Sequence, residues 1–332
     1  MKITVKANSN IALTKYWGKK DEKLKTPYNS NTSVTLEGLQ TITTVEFSDV
    51  YEKDIFILDD QEYNSGQGEY DTVVEQLNII REKSGVTQNA KVVSKNDFPT
   101  AAGFASSASG LAALTFAAAK ATGLKLSIEE LSKISRMGSG SASRSLIDGF
   151  AIWHKGEADD GEDSFAEQIA PVSHWPEFRL LGCVISKKQK KTKSRVGMKQ
   201  SVLTSPIFEQ WYTNAEKDAQ KMVSLIKEKI FSELGKLAQD NCILMHACAM
   251  TTHPSIFYWQ PGTLEVIHKV LELQDSGKQI YFTIDGGPQT KILCLEKNVD
   301  EFKKILLELD GVQEIIECKP GYGPQIIKGD LF

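Results

Sequence analysis

The tightest constraint on this chain is the segment Pro99-Thr100-Ala101-Ala102-Gly103-Phe104-Ala105-Ser106-Ser107-Ala108-Ser109-Gly110, which runs straight into an Ala- and Leu-rich stretch over 109–121. Small side chains let a backbone come close to another body. The helix predicted over 109–121, closed by Gly123 as C-cap, points its free N–H groups and positive end back at the loop. Such a turn binds phosphate well, and Ser106, Ser107 and Ser109 could add hydroxyls or hold a metal ion. No Gly-Lys-Ser/Thr follows at Walker A spacing. The other reading is a Ser/Ala-rich helix start with nothing bound.

Strands lead up to this turn. Residues 41–47 are rich in β-branched side chains, and 54–58 and 90–94 read as further strands. After the helix, Ser127-Ile128-Glu129-Glu130 is a capping box, with Leu131 and Ile134 following at helical spacing. A small-residue helix is expected from about Ser141. A boundary falls at 173–178, around Trp175-Pro176, ahead of an apolar strand over 180–185. Phe208, Trp211, Tyr212, Ala215, Ala219, Met222 and Ile226 mark one helix face, and Leu234, Leu237, Ala238 and Cys242 mark the next. Strands over 280–284 and 292–295, a helix over 299–309 and a strand over 312–317 close the chain. The C-terminal part is expected to be an antiparallel sheet with helices on one face, and the fold class α+β.

At 332 residues, and about 100–200 residues per domain, two domains with separate cores are expected, 1–176 and 177–332. The formal net charge of -4 gives no bias toward nucleic acid or anionic membrane. Anionic ligands therefore need local Lys and Arg. The five cysteines have no regular spacing and read as buried free thiols. The N-terminus lacks a signal-like apolar core and no stretch is long enough to span a bilayer, so a cytoplasmic protein is expected. The five histidines are too scattered to suggest a zinc site.

Four further segments carry chemistry. Gly138-Ser139-Gly140-Ser141-Ala142-Ser143-Arg144-Ser145 is a second Gly/Ser turn, in which Arg144 could grip a carboxylate or phosphate; a structural turn with a surface arginine is the alternative. In Asn10-Ile11-Ala12-Leu13-Thr14-Lys15-Tyr16-Trp17-Gly18-Lys19, two lysines and a tyrosine sit among apolar neighbours, although single lysines are usually solvated. Asp285 follows an apolar β-run and precedes Gly286-Gly287-Pro288. It could accept or orient a hydroxyl proton at a cleft mouth, or merely cap a turn. Lys187, Lys188, Lys190, Lys191, Lys193 and Arg195 form a basic run without aromatics. It reads as a solvated loop or a lid over a triphosphate, not as a nucleic-acid surface.

Together these segments, with Pro27-Tyr28-Asn29-Ser30, Ser33-Val34-Thr35-Leu36 and Ser194-Arg195-Val196-Gly197-Met198, resemble the diphosphomevalonate decarboxylase family of the GHMP kinase superfamily along nearly the whole chain. The resemblance implies a two-domain GHMP kinase-like fold, with the active site in the interdomain cleft, and commonly a homodimer. It implies that ATP with Mg²⁺ phosphorylates the tertiary 3-hydroxyl of mevalonate 5-diphosphate, after which phosphate and CO₂ leave to give isopentenyl diphosphate. Asp285, Arg144 and Lys15 are the implied catalytic residues, Arg144 holding the substrate carboxylate. Tyr16, Lys19, Ser139, Gly140, Ser141 and Arg195 would hold the diphosphate. Ser94, Gly103, Ala105, Ser106, Ser107 and Ser109 would lie along ATP, with Ser107 on the metal and Lys190 near the γ-phosphate. Phosphoryl transfer is mostly positioning and charge neutralisation, which fits this inventory.

The chain departs from the family pattern at Asn31, usually Ser, at Phe104, usually Leu, and at Gly286 and Gln289, usually Ala and Asn. These positions bear on substrate choice. A decarboxylase of mevalonate 5-phosphate, a kinase that stops at the phosphorylated product and a non-catalytic ligand sensor are the competing readings.

Overall fold

The computed structural model describes residues 1–97, 106–188 and 191–332, and of Ser106 only the backbone. The chain enters on β1 (Lys2–Ala12) and returns along the antiparallel β2 (Asn31–Ser48). The strand expected over 41–47 is thus the second half of a longer one, whose first half carries the Ser33–Leu36 motif. After β3 (Ile55–Leu58) and β4 (Gln61–Tyr63) come α1 (Gly68–Ser84) and β5 (Asn89–Asn96), then α2 (Ser106–Ala121) and α3 (Ile128–Gly138). Strands β6 (Phe150–Trp153) and β7 (Ala166–Ala170) complete this half. β5 pairs with the second half of β2 and β6 with its start. β3 joins β5 in parallel.

The helix expected near Ser141 is instead a short 3₁₀ segment, Gly140–Leu146. Ser143 Oγ donates to Gly140 O at 2.6 Å, and Gly149 at φ 66° turns the chain at once into β6. Side chain-to-backbone bonds of this kind compete with regular helix.

In the second half, β8 (Phe178–Val184) is followed by α4 (Ser194–Thr204), α5 (Phe208–Glu228), α6 (Phe231–Met250) and α7 (Pro261–Asp275). Next come β9 (Tyr281–Ile284), β10 (Thr290–Leu295), α8 (Val299–Leu307), β11 (Glu314–Pro320) and the short β12 (Gln325–Ile326). The antiparallel order is β11-β8-β10-β9. Helices cover both faces of these strands, not one. Leu180, Val184 and Leu293 pack with Leu225 and Leu234 of α5 and α6. Their strand neighbours Leu181, Cys183 and Ile292 pack with Val266 of α7 and Phe302 of α8. Consecutive strand residues point to opposite faces, so an unbroken apolar run such as Leu180-Leu181 asks for cover on both sides.

The two halves are joined by a bulge in β2. The register along β1 jumps from Leu36 to Gln40, and Gly38 takes φ 112°, a backbone conformation that favours glycine. The displaced segment pairs with β11 through Glu37↔Lys319 and Leu36↔Pro320. One core cluster draws Leu13, Leu36 and Phe150 together with Phe178, Leu225 and Leu234, so the two cores expected from chain length are continuous. The last strand crosses back, with Ile326 of β12 beside Val5 of β1. All five cysteines are buried and free. No helix among the described residues is long and apolar enough to cross a membrane.

Packing of α6 on β9 gives a stability test. A Cβ on Gly235 would lie 1.9 Å from Tyr281 Cδ2. Alanine in a helix interior ordinarily gains about 1 kcal/mol over glycine, but overpacking costs about 1–3 kcal/mol and can cost more. Gly235→Ala is therefore expected to destabilise, as a lower urea midpoint. A raised midpoint would contradict this packing.

Candidate active site

Both halves of the chain supply one charged cluster. Lys15 leaves the end of β1 in a segment outside regular structure and is only 1% exposed. Its backbone is pinned from both sides: Lys15 N donates to Asn241 Oδ1 at 2.7 Å, and Asn29 Nδ2 donates to Lys15 O at 2.9 Å. Its Nζ then donates to Ala12 O at 2.9 Å and to Asp285 Oδ1 at 2.6 Å. Asp285 stands directly after β9, where strand pairing ends and the carboxylate emerges, 26% exposed. A second ammonium, Lys291 on β10, lies 3.4 Å from Asp285 Oδ2. Burial alone would raise the Asp285 carboxyl, but Lys15 and Lys291 outweigh it and hold the group well below the usual carboxylate range. It is an anion at neutral pH.

The Gly286 departure is explained by what packs above this turn. A Cβ there would meet Ser194 Oγ at 2.8 Å and Trp17 at 3.2 Å. Gln289 acts elsewhere. Its Oε1 accepts from Ile185 N at 2.6 Å, and its amide donates to Ser186 O. It thereby ties the β9–β10 turn to the segment leaving β8.

Arg144 sits near the end of the 3₁₀ segment, 3% exposed, and so is not the surface arginine of the alternative reading. Its Nε donates to Asn10 Oδ1 at 3.2 Å and its Nη1 to Asn31 Oδ1. Asn10 Nδ2 in turn donates to Ser141 O at 2.9 Å and Ser145 Oγ at 2.7 Å. Burial pushes the guanidinium down to about 10, with Asp285 and Tyr16 opposing, so it stays charged at neutral pH. The Asn31 departure therefore places an amide oxygen on Arg144, and both its described partners are neutral amides.

Tyr16 continues the line. Its ring meets Trp153 edge-on at 4.9 Å, and its buried Oη has no hydrogen-bond partner among the described residues. A buried hydroxyl without a partner is costly and suits a ligand oxygen. Gly140 faces the same rings: a Cβ would come within 2.5 Å of Trp153 and 3.1 Å of Tyr16. Ser139 Oγ and Ser141 Oγ lie 3.3 Å apart on this turn. Beyond it opens a cleft of about 530 Å³, lined by Lys19, Lys23, Lys25, Arg195, Glu22 and Glu75 among others. Lys19 pairs with Glu22 at 2.7 Å, and Arg195, in the first turn of α4, donates to Gly138 O at 3.4 Å. Lys25, at φ 55°, donates to Met137 O at the end of α3. Cations outnumber carboxylates in this lining, as a polyanion site requires.

The expected nucleotide residues fall into two groups. Gly103, Ala105, Lys190 and the departure at Phe104 lie outside the described residues, as does the side chain of Ser106. Ser107 is exposed in the first turn of α2, where helix amides and dipole favour phosphate. Ser94 and Ser109 are buried: Ser94 Oγ lies 2.8 Å from Thr43 Oγ1, and Ser109 Oγ 2.6 Å from Thr41 Oγ1, both on β2. Among the described residues no group of three His, Cys, Asp or Glu side chains is gathered around a metal position. The exposed Ser107 hydroxyl is a hard oxygen of the kind magnesium accepts beside phosphates and water.

Sequence reasoning did not single out Lys291, Lys25 or Asn241. Lys291 had a usable signal, since it is a cation inside the apolar strand Thr290–Leu295, and a lysine buried there needs partners. Lys25 and Asn241 had none.

Known proteins resemble this chain along nearly its whole length. Residues 7–166 match the family model for a diphosphomevalonate decarboxylase-like N-terminal domain, and residues 180–316 that for a mevalonate 5-diphosphate decarboxylase C-terminal domain. The human diphosphomevalonate decarboxylase is 37% identical over 317 residues, covering 90% of this chain and 78% of that protein. The Candida albicans enzyme is 36% identical over 352 residues, covering 97% of each. A solved structure described as MDDEF in complex with MVAPP, AMPPCP and magnesium superposes with a TM-score of 0.91 at 40% identity, covering 99% of both chains. The mevalonate diphosphate decarboxylase from Staphylococcus aureus gives 0.91 at 36% identity, covering 98% of each.

Proposed function

Because this chain belongs to the diphosphomevalonate decarboxylase family, we propose that it converts mevalonate 5-diphosphate and ATP into isopentenyl diphosphate, ADP, phosphate and CO₂. The observation that carries this reading is the continuous line from the Lys15–Asp285 pair, 2.6 Å, through Arg144 and Tyr16 to the Lys19–Arg195 cleft. It offers a group for a hydroxyl, a cation for a carboxylate and a basic cleft for a diphosphate, in that order.

In this reading Asp285 accepts the hydrogen bond of the tertiary 3-hydroxyl and aims its oxygen at the γ-phosphorus of ATP. Held ionised by two ammonium groups, Asp285 is a weak base before the substrate binds, so orientation is its first role; as the new P–O bond forms and the γ-phosphorus–oxygen bond to ADP breaks, the hydroxyl proton passes to the Asp285 carboxylate. The C3–O bond then breaks with the pair going to phosphate, while the C1–C2 pair becomes the C2=C3 double bond and CO₂ departs. Arg144 holds the carboxylate in the plane this elimination needs. Tyr16, Ser139, Gly140, Ser141, Lys19 and Arg195 anchor the diphosphate. Magnesium, when bound, neutralises charge on the transferring phosphates; Ser107 and the start of α2 are the residues that would hold it and the nucleotide. The domain boundary is proposed at 176/177, a division the separate ranges of the two family models support.

The test uses substrate labelled in its carboxyl carbon. Labelled CO₂ and ADP are expected in equal amounts. ADP without CO₂ would make the protein a kinase, and neither product, with turnover of the 5-monophosphate, would move the substrate assignment.

A further inference from the structure

Lys291 touches no substrate in the mechanism above, yet its position is costly. Its side chain is 0% exposed on β10, 3.4 Å from Asp285 Oδ2, and its Nζ donates to Gln289 O at 3.3 Å. Lysine is almost never fully buried unless paired, and the carboxylate beside it is already bonded to Lys15 Nζ at 2.6 Å. Two ammonium groups thus share this carboxylate, one on each oxygen. A neutral residue of the same length would fill the space without desolvating a second cation.

We propose that Lys291 is a positioning residue for phosphoryl transfer: bound at Oδ2, it fixes the plane of the Asp285 carboxylate and keeps it ionised, leaving its open edge to the acceptor hydroxyl. With Lys15 on the other oxygen, the carboxylate cannot rotate without giving up one cation. The other groups around it do not supply this control. Arg144 acts on Asp285 only through space, with its described hydrogen bonds going to Asn10 and Asn31. On α6, His246 is pushed down to about 3 by burial, with Lys15 acting the same way, and Cys242 is pushed up to about 11 by burial, so both are neutral at pH 7. Both engage the Ile284 backbone, His246 Nε2 at 3.3 Å and Cys242 Sγ at 3.4 Å from its carbonyl oxygen.

This inference rests on the decarboxylase reading for its kinetics but not for its energetics, and the experiment separates the two. Lys291→Met keeps the length and removes the charge. With substrates saturating, kcat is expected to fall about tenfold or more, while KM for ATP and for the organic substrate stays within about twofold. Removing a cation from beside a carboxylate raises its pKa, so an acid limb in kcat is expected to move up by about 1–3 pH units into the measurable range. On an Asp285→Asn background the Lys291–Asp285 ion pair is already lost, so Lys291→Met is expected to cost less in Tm than it does in wild type and to lower kcat no further. A loss of kcat without a moved acid limb, or additive losses in the double variant, would overturn the proposal. If Lys291→Met alone fails to fold, the comparison of Asp285→Asn with the double variant still decides it. If wild type releases no CO₂, the reaction assignment fails while the non-additivity in Tm is read independently.

Discussion

Asp285→Asn is expected to lower kcat by about 10²–10⁴-fold, the range for losing a positioned acid–base group, with ADP and CO₂ lost together and KM for ATP little changed. Asparagine keeps the shape and one acceptor oxygen, so the loss reports charge. Its effect on stability is also large. The substitution leaves Lys15, 1% exposed, and Lys291, 0% exposed, facing a neutral amide, and breaking a buried pair from one side costs about 3–5 kcal/mol. The pH dependence has a defined sign. The folded carboxyl lies below its unfolded value, about 3.9, so its contribution is fully present above about pH 4 and disappears as pH falls through the folded value. The stability gap between wild type and Asp285→Asn should therefore be widest near neutrality and narrow on acidification. Urea titrations at several pH values check this; a gap that stays constant would mean the carboxylate is not held by the lysines.

Arg144→Lys carries the second large effect. The guanidinium gives one donor to Asn10 and another to Asn31, leaving further N–H groups for a ligand. An ammonium has no such planar fork, and a shorter reach would leave one or both amide oxygens unpaired in a buried place. Losing one partner of a buried, hydrogen-bonded charge pair costs about 2–5 kcal/mol, so kcat/KM for the organic substrate is expected to fall about 10²–10³-fold. KM for ATP should barely move, because Arg144 lies on the line toward the diphosphate cleft and not at α2. Initial-rate kinetics varying each substrate in turn make the distinction. A rise in both KM values would place Arg144 in general support of the fold.

The parts of the site that could be read from the sequence were those whose local pattern is unusual. Asp285 stands out as a carboxylate ending an apolar run and Arg144 as an arginine after a Gly/Ser turn, although a turn cap and a structural turn fit those local patterns as well. Strand and helix patterns were legible where one face is apolar, as in α5. The unbroken apolar run of β8 was itself a signal for cover on both faces, but periodicity cannot say which helices supply it. Lys291 carried a signal, a cation inside an apolar strand, but its partner Asp285 lies beyond the end of β9 and a lone lysine reads as solvated. Asn31 showed as a departure, but its bond to Arg144 spans 113 residues of chain. No local pattern encodes such a contact.

The crossing of β12 back to β1 has a consequence in time. Val5 and Lys6 at the outer edge of β1 are paired by Ile326 and Gln325, Thr4 Oγ1 donates to Asp330 Oδ1 at 2.7 Å, and Lys2 Nζ donates to Phe332 O at 2.9 Å. During synthesis β1 therefore emerges well before its edge partner β12, and every described element between them is made before that edge is covered. An unpaired edge is a template for other strands, and domains begin folding from the N-terminus as they appear. The nascent chain must shield β1 in the meantime by its own β2 pairing and by α2 packed on the same sheet; residues 325–332 act as a clasp that closes only once β12 has been made.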